Sequence, residues 1–283
     1  MNHYKITKPI RLIELFGGVG SQAMALRNIG ANFEHYRLVE FDKYPVASYN
    51  AIHGTNFEPT DITKINASDL GIVETDKYEY IMTYSFPCQD LSIAGQQKGM
   101  TKGSGTRSGL LWEVERLLIE CEELPQVLLM ENVPLVIGKK NIKDFEQWQL
   151  FLESKGYKNF VQILNAKDFG IPQSRRRCFM LSILGDYDYE FPTGEPLTLR
   201  MQDLLEEEVD KKFYLFGEYD YKPPIESNID TDNLIQVGTL KGGKWDKINE
   251  SCRRLYSPKG IAPTLNTCNG GNHEAKILIE ESE

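Results

Sequence analysis

The chain has 283 residues, 41% hydrophobic and 26% charged, the composition of a globular protein long enough to bury the core of one large domain or two unequal ones. A net charge of -9 excludes a globally basic nucleic-acid binder, though not a local basic face. Five widely spaced cysteines without a C-x-x-C pair, and four histidines without ligand spacing, point to neither a disulfide framework nor a metal site.

The start, Met1-Asn2-His3-Tyr4-Lys5, lacks the apolar core of a signal peptide, and no later run approaches the ~20 apolar residues of a membrane span. A cytoplasmic protein is therefore expected. Ile10-Arg11-Leu12-Ile13-Glu14-Leu15-Phe16 predicts a first strand, and Met24 to Gly30 a helix with Gly30 as its stop. Between them, Gly18-x-Gly20-x-x-Ala23 fits the turn of a nucleotide-binding strand–turn–helix. The next predicted strand, His35 to Val39, ends at Glu40, about 20 positions past the glycines, where a carboxylate can bind ribose hydroxyls. No Gly-Lys-Ser/Thr follows the glycines, so a nucleoside cofactor suits the turn at least as well as a triphosphate. Asp61 by itself reads as a helix cap or turn residue.

Tyr80 to Tyr84 predicts a buried strand running into Ser85-Phe86-Pro87-Cys88-Gln89-Asp90-Leu91-Ser92. Pro87 stiffens the approach to Cys88. A cysteine at the end of a sheet strand, before the basic, glycine-rich stretch Gly95 to Gly109, is placed as a nucleophile, although a small buried thiol is the commoner fate of a free cysteine. A helix from Leu110 to Ile119 follows, then a parallel-type strand, Val127 to Met130, ending at Glu131-Asn132-Val133-Pro134. Asp144 to Leu152 predicts an amphipathic helix stopped at Gly156. Asn165 to Arg177 leads into a strand from Cys178 to Leu184, with Arg175 and Arg177 on one side and Arg176 on the other. The β-α alternation then ends, which places a domain boundary near residues 186–200. Beyond it come a short helix over Met201 to Val209 and a basic run of Lys241, Lys244, Lys247, Arg253, Arg254 and Lys259, suited to a phosphate backbone.

Phe16-Gly17-Gly18-Val19-Gly20, Glu40, Asp61, Pro87-Cys88-Gln89, Glu131-Asn132-Val133 and Gln173-x-Arg175-x-Arg177 occur in the order of the motifs of the cytosine-5 DNA methyltransferases. Over about residues 10 to 210 the chain resembles the bacterial and phage members of that family. The segments Leu199 to Leu205 and Gly260 to Leu265 look like those flanking its target-recognition region. The resemblance implies an α/β fold: a Rossmann-like S-adenosylmethionine-dependent methyltransferase sheet with helices on both faces over residues 1–190, and a smaller, partial target-recognition region over 191–283. It implies a cofactor site of Phe16, Gly18, Gly20, Glu40, Phe41, Asp61 and Pro87 for S-adenosylmethionine. Cys88 would attack C6 of the base, Glu131 would bind and protonate N3, and Arg177, with Arg175 beside it, would bind O2. Gln89, Ser92, Lys98, Lys102, Arg107, Gln173 and Thr239 would contact duplex DNA around a flipped-out cytosine, with no metal.

Two departures, Glu14 for the usual Asp and Gly17 for the usual Ala, are small. A larger one is that the family continues with a Thr-Pro-Arg-Glu-like and then a Gly-Asn-Ser motif, neither of which occurs here. The expectation is therefore a methyltransferase either truncated or split between two polypeptides, the second carrying these motifs. Methylation of cytosine in tRNA and a catalytically silent DNA- or cofactor-binding remnant are the alternatives.

Overall fold

Side-chain alternation along the first strand, Ile10–Leu15 (β1), decides the layering of the fold. Ile10 and Leu12 pack with Ala23, Ile81 and Val127 on one face, while Ile13 and Leu15 join Tyr80, Met82, Tyr84, Leu128 and Met130 on the other. A sheet apolar on both faces must be covered on both. The computed structural model describes residues 2–91, 99–215, 217–221, 232–265, 272 and 274–279.

After β1 come α1 (Ser21–Asn28), β2 (Phe33–Val39), α2 (Lys43–His53), α3 (Ala67–Leu70), β3 (Glu79–Tyr84), α4 (Leu111–Glu120), β4 (Val127–Asn132), α5 (Ile142–Ser154), β5 (Tyr157–Asn165) and β6 (Arg176–Leu184). The six strands form one sheet in the order β2-β1-β3-β4-β6-β5. β1 pairs in parallel with β2 and β3, and β3 with β4, whereas β6 runs antiparallel to β4. Every residue of β3 is buried, as befits a central strand of a covered parallel sheet. This is the expected α/β methyltransferase sheet.

The largest core cluster lies under α4 and α5, with Leu111, Trp112, Val114, Leu117, Phe145, Trp148 and Leu152 packed on the sheet. Two buried indoles there keep their polar ends satisfied: Trp112 Nε1 donates to Met100 O (2.7 Å), and Trp148 Nε1 donates to Tyr84 Oη (3.0 Å). Trp148→Phe leaves the fully buried Tyr84 hydroxyl without its donor, and a loss of about 1–3 kcal/mol in urea unfolding is expected. A midpoint equal to wild type would show that the bond contributes nothing.

The chain divides into two compact units, Met1–Ile163 with Arg177–Phe191, and Leu164–Arg176 with Pro192–Glu283. The division is not a single cut, because Leu164–Arg176 belongs with the C-terminal part. In the second unit β7 (Tyr219–Tyr221), β8 (Gln236–Leu240), β9 (Arg254–Tyr256) and β10 (Lys276–Ile277) form a sheet in the order β10-β9-β8-β7.

Several local expectations are corrected. The first helix begins at Ser21, three residues before the predicted start, directly out of the glycine turn. The strand β5 was not expected, because Lys158, Asn159 and Gln162 break its apolar pattern, as an edge strand allows. The helix predicted over Met201 to Val209 is a single 3₁₀ turn, Met201–Leu204. Three consecutive like charges, Glu206-Glu207-Glu208, follow that turn and disfavour its extension. Its first amides bond instead across the unit, Met201 N to Gly260 O (3.0 Å) and Gln202 N to Pro258 O (2.9 Å).

Candidate active site

From β1 the chain goes out to β2 on one side of the sheet and then returns to β3 on the other. The order thus reverses between β1 and β3, and in open α/β sheets the crevice beyond the carboxyl ends at such a point is where ligands bind. The register makes this edge explicit: Leu15 lies level with Val39 and Tyr84, and Tyr84 with Met130. The residues that follow each of these, Phe16, Glu40, Ser85 and Glu131, therefore emerge along one line. Because β6 is antiparallel, with Cys178 opposite Asn132, its first residues begin at the same edge.

The β1 and β2 ends build a turn around an acid. Phe16 turns out of the strand with φ +56°, and Gly18 and Gly20 follow at +55° and +82°. Gly18 N donates to Glu40 Oε2 and Asp42 N to Glu40 Oε1, both at 3.0 Å, so one carboxylate clamps both loops. A Cβ built on Gly18 would meet nothing within 4 Å, and Phe41, next to Glu40, is 73% exposed. Asp61 caps the 3₁₀ turn Ile62–Lys64 by accepting from Thr63 N (3.0 Å) and Oγ1 (2.8 Å), and those bonds hold its carboxyl below the usual range. Open space beside Gly18, with Glu40 bonded to its amide and the exposed Phe41 next in the chain, suits a nucleoside, whose sugar offers hydroxyls and whose base offers a flat apolar face.

The β3, β4 and β6 ends carry the candidate catalytic groups. Leu91 N bonds Cys88 O (3.0 Å), which closes a turn at the half-buried cysteine, and Ser108 Oγ donates to Pro87 O (2.7 Å). Asn132 Nδ2 donates to Phe86 O (3.0 Å), so the asparagine of Glu-Asn-Val braces the approach to Cys88 from the neighbouring strand. Glu131 lies opposite Phe179, and its diagonal neighbour Arg177 donates through Nε to Glu131 Oε1 at 3.0 Å. The two side chains are 23% (Glu131) and 18% (Arg177) exposed and are paired with each other. By contrast, burial pushes the thiols of Cys121 and Cys178 up to about 11 and about 12. Neither is a usable thiolate.

The expected DNA contacts divide. Gln89 Oε1 accepts from Arg107 Nη1 (3.2 Å), and Asp90 Oδ2 accepts from Arg107 N (2.8 Å) and Ser108 N (3.3 Å), tying together the two ends of the segment between them. Lys102 is engaged by Glu115 and lies 5.2 Å over the Trp112 ring, while Ser92 and Lys98 lie outside the described residues. Arg175 and Gln173 belong to the second unit, where Arg175 N donates to Asn165 Oδ1 (2.9 Å) and Gln173 bridges Ala262. Thr239 sits within β8 between Asp220 and Arg254, only 8% exposed, because the strand turns it inward. The basic run is partly neutralised, with Lys241, Arg253 and Arg254 paired to Asp220, Asp246 and Glu250.

Beneath the glycine turn lies a buried polar group that the sequence did not reveal. Glu14, noted only as a departure, is fully buried, and accepts from Tyr49 Oη (2.5 Å) and Ala23 N (3.4 Å). Burial raises its carboxyl to about 7, while the hydrogen bonds from Tyr49 and Ala23 pull the other way. The native chain therefore binds this proton more tightly than the unfolded chain between the ordinary carboxyl range and neutrality. Its stabilising contribution is complete at the acid end of that window and is lost, by up to about 3 kcal/mol, as pH rises through it. Glu14→Gln is expected to flatten that part of the pH profile of unfolding free energy. An unchanged slope would assign the proton elsewhere.

Residues 10–280 match the family described as C-5 cytosine-specific DNA methylase. The orphan methyltransferase M.SssI of Spiroplasma monobiae is 34% identical, over 96% of this chain and 82% of its own length. The type II methyltransferase M.HhaI of Haemophilus parahaemolyticus is 31% identical, over 93% of this chain and 75% of its own length. Among solved structures, Dnmt2 methyltransferase of S. pombe superposes with a TM-score of 0.65 over 96% of this chain and 77% of that one, at 20% identity, which speaks for the fold. The chain belongs to the C-5 cytosine-specific DNA methylase family, and is a DNA (cytosine-5-)-methyltransferase.

Proposed function

We propose that this protein methylates C5 of a cytosine flipped out of duplex DNA, through a covalent bond between Cys88 Sγ and C6 of the base. What carries the reading is one sheet edge, with Cys88 just past β3, the Glu131–Arg177 pair on β4 and β6, and the open glycine turn after β1.

Position 5 of cytosine is a weak nucleophile, and a base inside a duplex is out of reach, so the base is extruded first. Cys88, as thiolate, adds to C6 and moves the C5–C6 π pair toward the ring nitrogens and O2. Glu131 accepts from the exocyclic amine and delivers a proton to N3, while Arg177, with Arg175, donates to O2 and stabilises the developing charge. To do so the Glu131–Arg177 pair exchanges its mutual hydrogen bond for bonds to the base. Phe16, Gly18, Gly20, Glu40, Phe41, Asp61 and Pro87 would hold S-adenosylmethionine, which would supply an electrophilic methyl group for C5 and leave as the thioether S-adenosylhomocysteine. Loss of the C5 proton to solvent, with the N3 proton returned to Glu131, then restores the C5–C6 double bond and expels Cys88. Gln89, Ser92, Lys98, Lys102, Arg107, Gln173 and Thr239 are the proposed DNA contacts, Lys102 by leaving Glu115.

A duplex synthesised with 5-fluorocytosine tests the mechanism, because fluorine cannot leave as a proton and the adduct persists. With S-adenosylmethionine, digestion is expected to yield a peptide in which Cys88 carries the base. The assay is run on the chain alone and with a polypeptide carrying the Gly-Asn-Ser motif supplied in trans. No adduct in either arm, with cofactor binding demonstrated, overturns the covalent route. Competition with tRNA in methyl transfer reports on the nucleic acid preferred.

A further inference from the structure

Gly20 rests on two rings. A Cβ there would come within 2.4 Å of His53 Nε2 and 2.6 Å of Tyr49 Cε2. The rings belong to α2, four residues apart on one helical face, with centroids 4.4 Å apart. His53 Nε2 donates to Val19 O (3.1 Å), inside the glycine turn itself. The Tyr49 hydroxyl links Glu14 on β1 (2.5 Å) to His35 Nδ1 on β2 (2.8 Å). The turn is thus seated on two rings of α2, Tyr49 held by hydrogen bonds to β1 and β2 and His53 bonded to the turn itself, and none of these four side chains lies among the proposed cofactor or DNA contacts.

We propose that Tyr49 and His53 are positioning residues for the cofactor turn: Tyr49, pinned between Glu14 and His35, and His53, bonded to the Val19 carbonyl, hold Gly18–Gly20 in the shape that admits the cofactor. The inference rests on the reading of that turn as the S-adenosylmethionine site. Tyr49 has one proton to place. When Glu14 is ionised Tyr49 donates to it and His35 Nδ1 donates to Tyr49; when Glu14 is protonated the direction of both bonds can reverse. Cofactor affinity is therefore tied to the proton balance of this cluster, whose titratable and charged members are Glu14, Tyr49, His35, His53 and, acting on His35 from α1, Arg27. Leu38, Val46 and Phe57, which pack with Tyr49, are apolar.

The test measures binding of S-adenosylmethionine to the full chain by titration calorimetry from pH 6 to 8, alongside KM and kcat for methyl transfer. Tyr49→Phe keeps the ring and removes the link, and a roughly tenfold weaker Kd is expected, matching the loss of about one net hydrogen bond. The pH dependence of Kd is expected to flatten in that variant, and KM for the cofactor to rise more than kcat falls. His53→Leu is expected to weaken binding similarly, and His53→Gln, whose amide can still donate to Val19 O, to restore most of it. Folded variants that bind the cofactor as wild type does, with the same pH profile, overturn the inference while leaving the site intact. If Tyr49→Phe fails to fold, the Leu-to-Gln contrast at His53 decides alone. A wild-type chain that binds no S-adenosylmethionine overturns the site reading itself, and this inference with it.

Discussion

Cys88→Ser is expected to lower methyl transfer by roughly 10³-fold or more while the chain still folds and binds S-adenosylmethionine. The argument is one of leaving and attacking ability. Thiols as a class ionise far more readily than alcohols and their thiolates are strong nucleophiles, whereas a serine hydroxyl is essentially never ionised without a dedicated base. No histidine is bonded to Cys88 among the described residues, so serine would find no such base from that quarter. The structural cost is small, because Cys88 is half-buried in a turn closed by backbone bonds and braced by Asn132 through Phe86. Activity within tenfold of wild type, with the fluorinated duplex still trapped, would move the covalent bond to another residue. Cys121 and Cys178 are poor candidates, since burial holds both thiols protonated.

Gly20→Ala is expected to be the most destabilising single-methyl change in the glycine turn, at about 2–5 kcal/mol. Part of that, about 1–2 kcal/mol, is the cost of a Cβ at φ +82°. The remainder comes from forcing a methyl into the rings of Tyr49 and His53, where overpacking costs about 1–3 kcal/mol. Gly18→Ala separates the two terms. Its φ is also left-handed at +55°, but its Cβ points into open space. Gly18→Ala is thus expected to cost only about 1–2 kcal/mol in unfolding free energy, yet to weaken S-adenosylmethionine binding, because the methyl occupies that space. Equal destabilisation by both variants would mean that the rings below Gly20 yield freely. Undiminished cofactor binding by Gly18→Ala would move the cofactor away from that face.

Much of the fold and most of the candidate site residues are legible in the chain itself, and the reason is locality. A fully buried strand such as Glu79–Tyr84 shows as an apolar run, and a turn that needs left-handed backbone shows as glycine at 18 and 20. Strand ends also mark the reactive groups, since Glu40, Cys88 and Glu131 each follow a recognisable apolar segment and the parallel register gathers them at one edge. What tertiary structure alone decided depends on partners distant in sequence. The half-polar edge strand β5 carries no periodic signature, and only the antiparallel entry of β6 brings Arg177 diagonally onto Glu131. DNA contacts were read from charge and a matched motif, yet Lys102 has found Glu115 and Thr239 faces inward. Glu14, His35, Tyr49 and His53 look unremarkable where they stand. They come together beneath the glycine turn only because β1, β2 and α2 pack side by side and leave a buried carboxyl group that must find its donors there.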